Sequence, residues 1–250
     1  MELSIWKRSF LAFLMATAIS AQANERDIAA AAKQFFGLQA TAVHESLIPG
    51  LYGINTSPSE VGPRLFMDDK LTVYGNFATG YAHLEGPAKG RDLTPQEAQD
   101  LYRSMLASLP KDKLITYRFG DGSREVLLFT AYDCPSCRAV EKSLLQQAKQ
   151  LNATVYLVPT ALRYQVDGAS RIPVQEILCA KNREQAWQNM ILKGQRPVGE
   201  RCNVNPDDYA YLARAFPIKF PTSVPTAVTL PDGKIYMGVS QKFAEVFGGR

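Results

Sequence analysis

The sequence is short of the residues that build metal sites. It has two histidines in 250 residues, His44 and His83, so a zinc enzyme with several histidine ligands is hard to assemble. Four cysteines are too few for a small domain held together by disulfides. We therefore expect neither a metal nor a cofactor, and function must rest on other chemistry.

The sequence also lacks an excess of one charge. Lysine and arginine total 28 and aspartate and glutamate 24, a formal net charge of +4, with no dense basic block. This balance argues against nucleic acid as a partner. With 46% hydrophobic residues, 17 glycines and 15 prolines, the composition is typical of a globular protein and not of a disordered or collagen-like chain.

Apolar runs are short, and one of them lies close to the N-terminus. Lys7 and Arg8 precede the apolar residues 10–18, and Ala21-Gln22-Ala23 has small residues at the spacing that a signal peptidase recognises. We predict a signal peptide over residues 1–23, cleaved near Ala23. The alternative, a membrane anchor, is less favoured because this run is about half of the roughly 20 residues needed to cross a bilayer. We expect an exported, soluble protein in a compartment where disulfides persist.

Residues 24–90 predict a small α+β domain. Apolar residues at helical spacing indicate a helix over residues 25–36, ended by Gly37. A domain of fewer than 70 residues buries a marginal core, so we expect this one to be a dimerisation domain. An antiparallel meander is predicted from four runs rich in Val, Leu, Tyr and Phe, at residues 50–56, 64–67, 71–78 and 81–84.

A linker helix is predicted within residues 91–110. Thr94 and Glu97 form a capping box with Pro95 at the first helical position, and Pro110 ends the pattern. We expect this helix to join two domains, although an ordinary packed surface helix has the same pattern. Its apolar face is predicted to contain Ala98, Leu101, Met105 and Leu109.

Residues 111–250 predict an α/β domain. The apolar run at residues 126–132 indicates a central strand covered on both faces, and residues 154–158 indicate a second strand. A helix predicted over residues 138–151 joins them in a β-α-β unit. Residues 226–230 and 235–239 predict a hairpin around Asp232-Gly233, followed by a short helix from Gln241.

Two closely spaced cysteines lie where the first of these strands becomes the helix, in Cys134-Pro135-Ser136-Cys137. Free amides and the helix dipole stabilise a thiolate at this position, and Arg138 and Lys142 add nearby positive charge. Cys137 follows almost one turn later, close enough to close a small ring with Cys134. We predict that Cys134 attacks disulfides and that Cys137 resolves the mixed disulfide.

Two other interpretations of this pair are weaker. A zinc knuckle needs a second closely spaced pair, whereas Cys179 and Cys202 stand alone in the sequence. A purely structural disulfide at this spacing is strained and easily reduced. Redox catalysis is the interpretation that the spacing favours.

Pro225 is the second candidate site residue. It precedes the β-branched residues 226–229, where a proline is tolerated at the first position of a strand or in a cis peptide. A cis bond at Val224-Pro225 would turn the Val224 backbone towards a substrate beside the cysteines. Pro217 and Pro221 are alternatives, and the strand that follows favours Pro225.

The order of these motifs resembles the periplasmic thiol:disulfide isomerases of the DsbC and DsbG type. The resemblance rests on residues 129–133 before the cysteine pair, residues 178–181, residues 201–204 and Val224-Pro225, together with the signal peptide and the two-domain layout. It implies an α+β N-terminal dimerisation domain, a linker helix and a thioredoxin-fold catalytic domain with a helical insert. It further implies a nucleophilic Cys134, a resolving Cys137 and a cis Pro225.

The resemblance also implies a structural disulfide between Cys179 and Cys202 within the insert. In the chain-entropy model, closing this 24-residue ring stabilises the fold by roughly 3 kcal/mol. The alternative is a pair of buried free thiols, which an oxidising compartment disfavours.

By the same resemblance, the protein is expected to be a periplasmic homodimer that reshuffles wrong disulfides in exported proteins, with electrons from a membrane thiol reductase. Two departures leave the redox direction open. Pro135 and Ser136 place no imidazole or phenol between the cysteines, and Val224 stands where such isomerases usually carry threonine. The alternatives are a dithiol oxidase or reductase at the same site, and a chaperone or assembly factor of the secretory compartment.

Overall fold

The computed structural model describes residues 22–60, 62–76, 78–164, 168–197 and 202–248. The predicted signal peptide lies outside these ranges except for its last two residues. None of the helices in the described ranges is long and apolar enough to cross a bilayer.

The N-terminal unit consists of one helix packed on a five-stranded sheet. The helix α1 (Glu25–Phe36) is capped by the Asn24 side chain and ends at Gly37, whose φ of 65° is in the left-handed region. The sheet is an antiparallel meander in chain order, which confirms the predicted connectivity. Its strands are β1 (Ala42–Glu45), β2 (Leu51–Asn55), β3 (Leu65–Asp68), β4 (Val73–Asn76) and β5 (Gly80–His83).

The helix α2 (Pro95–Ser108) begins with the predicted capping box, in which Thr94 accepts a hydrogen bond from the Glu97 amide and Glu97 reaches back to Thr94. Its buried face is shifted from the predicted one: Ala98 and Leu101 are half-buried, whereas Tyr102 is fully buried. The Tyr102 hydroxyl donates to the Gly233 carbonyl at 3.3 Å, so the helix packs against the C-terminal half of the chain.

The C-terminal sheet has the strand order β10-β9-β7-β8-β6. The central strand β7 pairs with β8 in parallel, as the β-α-β unit predicted, and β9 pairs with β10 in the predicted hairpin. On its other side β7 pairs with β9 in antiparallel fashion, a pairing that the sequence patterns did not indicate. Its strands are β6 (Ile115–Arg118), β7 (Arg124–Ala131), β8 (Ala153–Thr160), β9 (Thr226–Leu230) and β10 (Ile235–Met237).

Helices cover both faces of this sheet. The helix between β7 and β8 runs from 135 to 146 and not from 138 to 151, because Pro135 occupies the first helical position and Leu151 belongs to the approach to β8. The final helix begins at Phe243, two residues after the predicted start. The helices are α3 (Pro135–Gln146), α4 (Arg171–Cys179), α5 (Arg183–Lys193), α6 (Asp207–Ala210), α7 (Leu212–Ala215) and α8 (Phe243–Phe247).

Four of these helices, α4 to α7, form an insert between β8 and β9. A disulfide joins Cys179, the last residue of α4, to Cys202, with the two Cα atoms 5.5 Å apart. It links α4 to the segment that leads into α6.

The N-terminal unit packs directly on this insert. The Tyr81 hydroxyl of β5 donates to the carbonyl of Ala215 at 2.7 Å in a buried environment. Gly62 approaches the ring of Tyr211 so closely that a Cβ atom there would lie 2.6 Å from it, and its φ of +83° also favours glycine. One hydrophobic cluster runs through β2, β3, β5, α2 and the insert, so the two halves share a core.

Candidate active site

The two cysteines lie at the carboxyl end of the central strand. Cys134 follows β7 after a short turn and is the N-cap residue of α3, and its sulfur accepts a hydrogen bond from the Cys137 amide at 3.3 Å. Both cysteines are free thiols, and the Cys134 side chain is 3% exposed. The sulfur therefore lies where the amides of the first helical turn favour an anion.

The loop before β9 is the third part of the site. Because β9 pairs with β7, it brings Val224 beside the turn, and the Cys134 thiol donates to the Val224 carbonyl at 3.8 Å. The Val224–Pro225 peptide is cis, whereas the peptides before Pro217 and Pro221 are not. A second cis bond, at Leu230–Pro231, lies at the far end of β9.

Ser136 contributes a contact that the sequence reasoning overlooked. Its hydroxyl lies 3.4 Å from the Cys134 sulfur, so the dipeptide between the cysteines does contain a polar group that reaches this sulfur. Its position in the first turn of α3, two residues after the N-cap residue Cys134, is the sequence signal that points to this contact.

The two cationic side chains that were predicted to lie near Cys134, those of Arg138 and Lys142, make no polar contact with its sulfur. The Nε of Arg138 donates to the Ile191 carbonyl at 2.7 Å, near the end of α5, and Lys142 is exposed more than two turns along α3 from Cys134. Among the described residues, the polar contacts of the Cys134 sulfur are the Cys137 amide, the Ser136 hydroxyl and the Val224 carbonyl.

Cys137 lies deeper than Cys134 and is fully buried. Its sulfur accepts a hydrogen bond from the Ala131 amide at 3.5 Å. Burial raises the pKa of the Cys137 thiol well above its ordinary value, and the neighbouring Cys134 side chain acts in the same direction. The Ala131 amide and the Thr130 hydroxyl oppose this shift of the pKa. Cys137 is therefore held as a neutral thiol in the reduced state.

A buried carboxyl lies one helical turn beyond Cys137. Glu141 is fully buried, and its Oε1 accepts a hydrogen bond from the Trp187 indole at 2.8 Å. Burial raises the pKa of Glu141 to about 7, although Trp187 and Tyr117 both act to lower it. The four-residue spacing from Cys137 places Glu141 on the same face of α3, a signal that was available in the sequence.

A side-chain contact anchors the turn that carries Cys134. The Asp133 carboxylate accepts a hydrogen bond from the Leu162 amide at 2.7 Å and so ties the residues after β8 to the site. The Leu162 side chain is 54% exposed, which places an apolar group at the surface beside Asp133.

No group of three or more His, Cys, Asp or Glu side chains in the described ranges is arranged to hold a metal ion. The chemically active groups of the site are the two free thiols of Cys134 and Cys137. A cysteine pair at the start of the helix after a central parallel strand, facing a cis-proline loop, defines a thiol–disulfide site on a thioredoxin fold.

The sequence matches the thioredoxin-like domain family over residues 112–245. This match covers more than half of the chain, and the chain belongs to this family.

The sequence similarity to curated relatives extends beyond the thioredoxin-like domain into the N-terminal half of the chain. The chain is 27% identical over 192 residues to a probable thiol:disulfide interchange protein DsbC of Bordetella pertussis, and 26% identical to the protein of that name from Bordetella bronchiseptica. Each alignment covers 75% of this chain and 62% of the relative, so the chain spans less than two thirds of the length of these proteins. These relatives confirm the resemblance to the DsbC and DsbG type.

Solved structures show more distant likenesses. A disulfide interchange protein from Neisseria gonorrhoeae has 25% identity and a TM-score of 0.44, over 56% of this chain and 99% of that one. Helicobacter pylori DsbG has 11% identity and a TM-score of 0.37, over 81% and 98% of the two chains.

Proposed function

We propose that this chain catalyses thiol:disulfide interchange in exported proteins, with Cys134 as the nucleophile and Cys137 as the resolving thiol. The observation that carries the proposal is the position of the Cys134 sulfur, which accepts the Cys137 amide at 3.3 Å at the N-terminus of α3. An anion at this position is stabilised by the helix, and a thiolate is the species that attacks disulfides.

The reaction begins when the Cys134 thiolate attacks one sulfur of a substrate disulfide. The new bond joins Cys134 to that sulfur, the substrate disulfide breaks, and the second substrate sulfur leaves as a thiolate that takes up a proton. The mixed disulfide then has two fates. Attack by Cys137 reduces the substrate and oxidises the cysteine pair, whereas attack by another substrate thiol releases Cys134 unchanged and leaves a rearranged disulfide.

We propose isomerisation as the main net reaction. The resemblance to the isomerases of the DsbC and DsbG type supports this direction, and the curated relatives carry the name thiol:disulfide interchange protein DsbC. An isomerase works with Cys134 reduced, so a membrane thiol reductase is the proposed electron donor, and misoxidised exported proteins are the proposed substrates. The proposed location is the periplasm, after removal of residues 1–23.

The Val224–Pro225 loop is the proposed substrate-binding element. The Val224 carbonyl lies 3.8 Å from the Cys134 sulfur, so an extended substrate segment that pairs with this backbone brings its own disulfide to the nucleophile. The exposed Leu162 side chain, anchored to the site through Asp133, offers an apolar contact for an unfolded substrate.

The N-terminal unit is proposed to form the homodimer. Its outer strand β1 has one edge that pairs with no strand in the described ranges and has exposed residues at both ends, and residues 24–90 alone bury a small core. In this proposal residues 91–110 connect the dimerisation domain to the catalytic domain at residues 111–250, with Cys179–Cys202 as its structural disulfide.

The refolding of a scrambled-disulfide substrate tests the proposal. Cys134→Ser is expected to abolish activity, because serine replaces the attacking sulfur with little change in size. Cys137→Ser is expected to retain isomerisation and to accumulate the mixed disulfide. Full activity of Cys134→Ser would contradict the catalytic assignment.

A dithiol oxidase at the same site is the second candidate, favoured by Val224 before the proline, where the isomerases that this chain resembles usually carry threonine. A measured reduction potential of the cysteine pair separates the two. A strongly oxidising couple that transfers its disulfide to reduced substrates would make oxidation the main reaction. A chaperone role would show as suppressed substrate aggregation that survives the loss of both Cys134 and Cys137.

A further inference from the structure

Thr130, near the carboxyl end of β7, is a buried polar residue without an evident structural role. Its side chain is fully buried, and its hydroxyl makes no well-aligned hydrogen bond with any residue in the described ranges. A buried hydroxyl without a partner carries a desolvation penalty, and valine has nearly the same shape. Packing alone would therefore favour valine at this position.

The alternation of β7 shows which way the Thr130 side chain points. Val126 and Leu128 belong to the hydrophobic cluster on the α3 face of the sheet, whereas Leu127 and Phe129 belong to the cluster on the opposite face. Thr130 follows Val126 and Leu128 at the two-residue spacing of a strand, so its side chain lies on the α3 face.

Cys137 lies on this same face, in the first turn of α3. Its sulfur accepts the amide of Ala131, the residue after Thr130, at 3.5 Å. The Thr130 hydroxyl is close enough to this thiol to lower its pKa. The hydroxyl and the resolving sulfur are thus neighbours inside the core.

We propose that Thr130 is a catalytic hydrogen-bond donor for the resolving step, in which its hydroxyl turns towards the Cys137 sulfur as that sulfur becomes an anion. This inference rests on the proposed thiol:disulfide interchange at Cys134 and Cys137. It explains why a hydroxyl is kept in an apolar layer, since in the reduced state the hydroxyl has no well-aligned hydrogen bond with the described residues and the anionic Cys137 sulfur supplies an acceptor.

The chemistry of the step shows where the donor acts. The Cys137 thiol loses its proton to water, and the thiolate attacks the Cys134 sulfur of the mixed disulfide. The Cys134–Cys137 bond forms, the bond between Cys134 and the substrate breaks, and the substrate sulfur leaves as a thiolate and takes up a proton. The cysteine pair is oxidised by two electrons and the substrate is reduced.

A buried anion at Cys137 needs donors, and the described residues supply two. The Ala131 amide belongs to the backbone and remains in any variant. Thr130 is therefore the side chain through which the resolving step can be changed separately from the attack by Cys134. Thr130→Val removes the hydroxyl at nearly constant shape, and Thr130→Ser keeps it.

The test uses the reduced full-length protein and an aromatic disulfide that releases a coloured thiolate on each exchange. The first release reports attack by Cys134, and the second reports resolution by Cys137. In Thr130→Val the first release is expected to stay within about twofold of the parent protein, while the second slows roughly tenfold, the loss expected for one hydrogen bond to a charged group. The pH dependence of the second release is expected to move to higher pH.

Thr130→Ser is the matched control and is expected to resolve within about twofold of the parent rate. A second release that is unchanged in Thr130→Val, or slowed equally in Thr130→Ser, would overturn the inference. Thr130→Ala provides a second variant without the hydroxyl, should the valine variant fold poorly. If the parent protein shows no release that depends on Cys134, the proposed function fails instead, so the two failures are distinguishable.

Discussion

Replacing the buried carboxyl of Glu141 by an amide tests the electrostatics behind the active-site helix. Glu141→Gln keeps the shape and preserves the oxygen that accepts the Trp187 indole at 2.8 Å. The added NH₂ group takes the place of Oε2, which has no hydrogen-bond partner among the described residues. The change therefore removes the ionisation with little change in packing.

The pKa of Glu141 sets the size and the sign of the effect. Burial raises the pKa from 4.5 to about 7 in the folded protein, so the folded state binds more protons than the unfolded state within this interval. The free energy of unfolding therefore falls as the pH rises from 4.5 to 7, and the penalty is complete above 7. A pKa rise of this size corresponds to about 3 kcal/mol.

Urea unfolding at a series of pH values between 4 and 8 measures this difference. At pH 4 the parent protein and Glu141→Gln are expected to have similar free energies of unfolding, because the glutamate is mostly protonated in both states. At pH 8 the variant is expected to be more stable by up to about 3 kcal/mol. Both proteins are compared with Cys134 and Cys137 in the same redox state.

Glu85→Gln is the matched control, since Glu85 is exposed on the N-terminal unit. It makes the same chemical change and is expected to leave the pH dependence of stability close to that of the parent. If Glu141→Gln shows a constant stability difference from pH 4 to pH 8, the carboxyl does not titrate in this window and the reasoning is refuted.

Two further stability predictions follow from single contacts. Tyr81→Phe is expected to lower the free energy of unfolding by about 1–3 kcal/mol in urea denaturation, because the buried Ala215 carbonyl loses its donor; an unchanged midpoint would show that the two halves do not depend on this bond. The double variant Cys179→Ser and Cys202→Ser is expected to have a free energy of unfolding roughly 3 kcal/mol lower than the parent, because the disulfide no longer closes the loop between these two residues in the unfolded chain. Its reaction with an aromatic disulfide at Cys134 should keep the parent rate, and a large loss of that rate would place the disulfide in the catalytic machinery.

Local signals predicted the elements that begin with a cap or contain a long apolar run. The helix α2 starts at its capping box because Thr94 and Glu97 satisfy each other's amides without help from the rest of the chain. The strand β7 was evident because it is covered on both faces, so nearly all of its residues are apolar.

Two strands were missed for the opposite reason. The strand β1 contains His44 and Glu45 and is exposed at both ends, and β6 has four residues and ends at an exposed Arg118. Each is an outer strand of its sheet, with a neighbour on one side only. Short outer strands carry weak sequence patterns, because the partner strand and not their own composition holds them in place.

At the active site, the sequence indicated the two cysteines and the proline, but not the groups around them. The contact of Ser136 with Cys134 depends on the start of α3, which the pattern placed three residues late. Glu141 and Thr130 are polar residues in apolar surroundings. A pattern based on the spacing of apolar residues does not predict that such polar residues are buried. Their burial became visible only when the face of each element was known.

The packing between the two halves was beyond sequence reasoning, because its contacts join residues far apart in the chain. Tyr81 reaches Ala215 across 134 residues, and Gly62 lies against Tyr211.

Because of this packing, removal of the N-terminal unit affects more than the unit itself. Truncation before Thr94 would expose the apolar surface of the insert, so a loss of activity in such a fragment would not distinguish loss of the proposed dimer from damage to the core. In the proposed homodimer, charged substitutions on the outer edge of β1 are expected to weaken association while leaving the shared core intact.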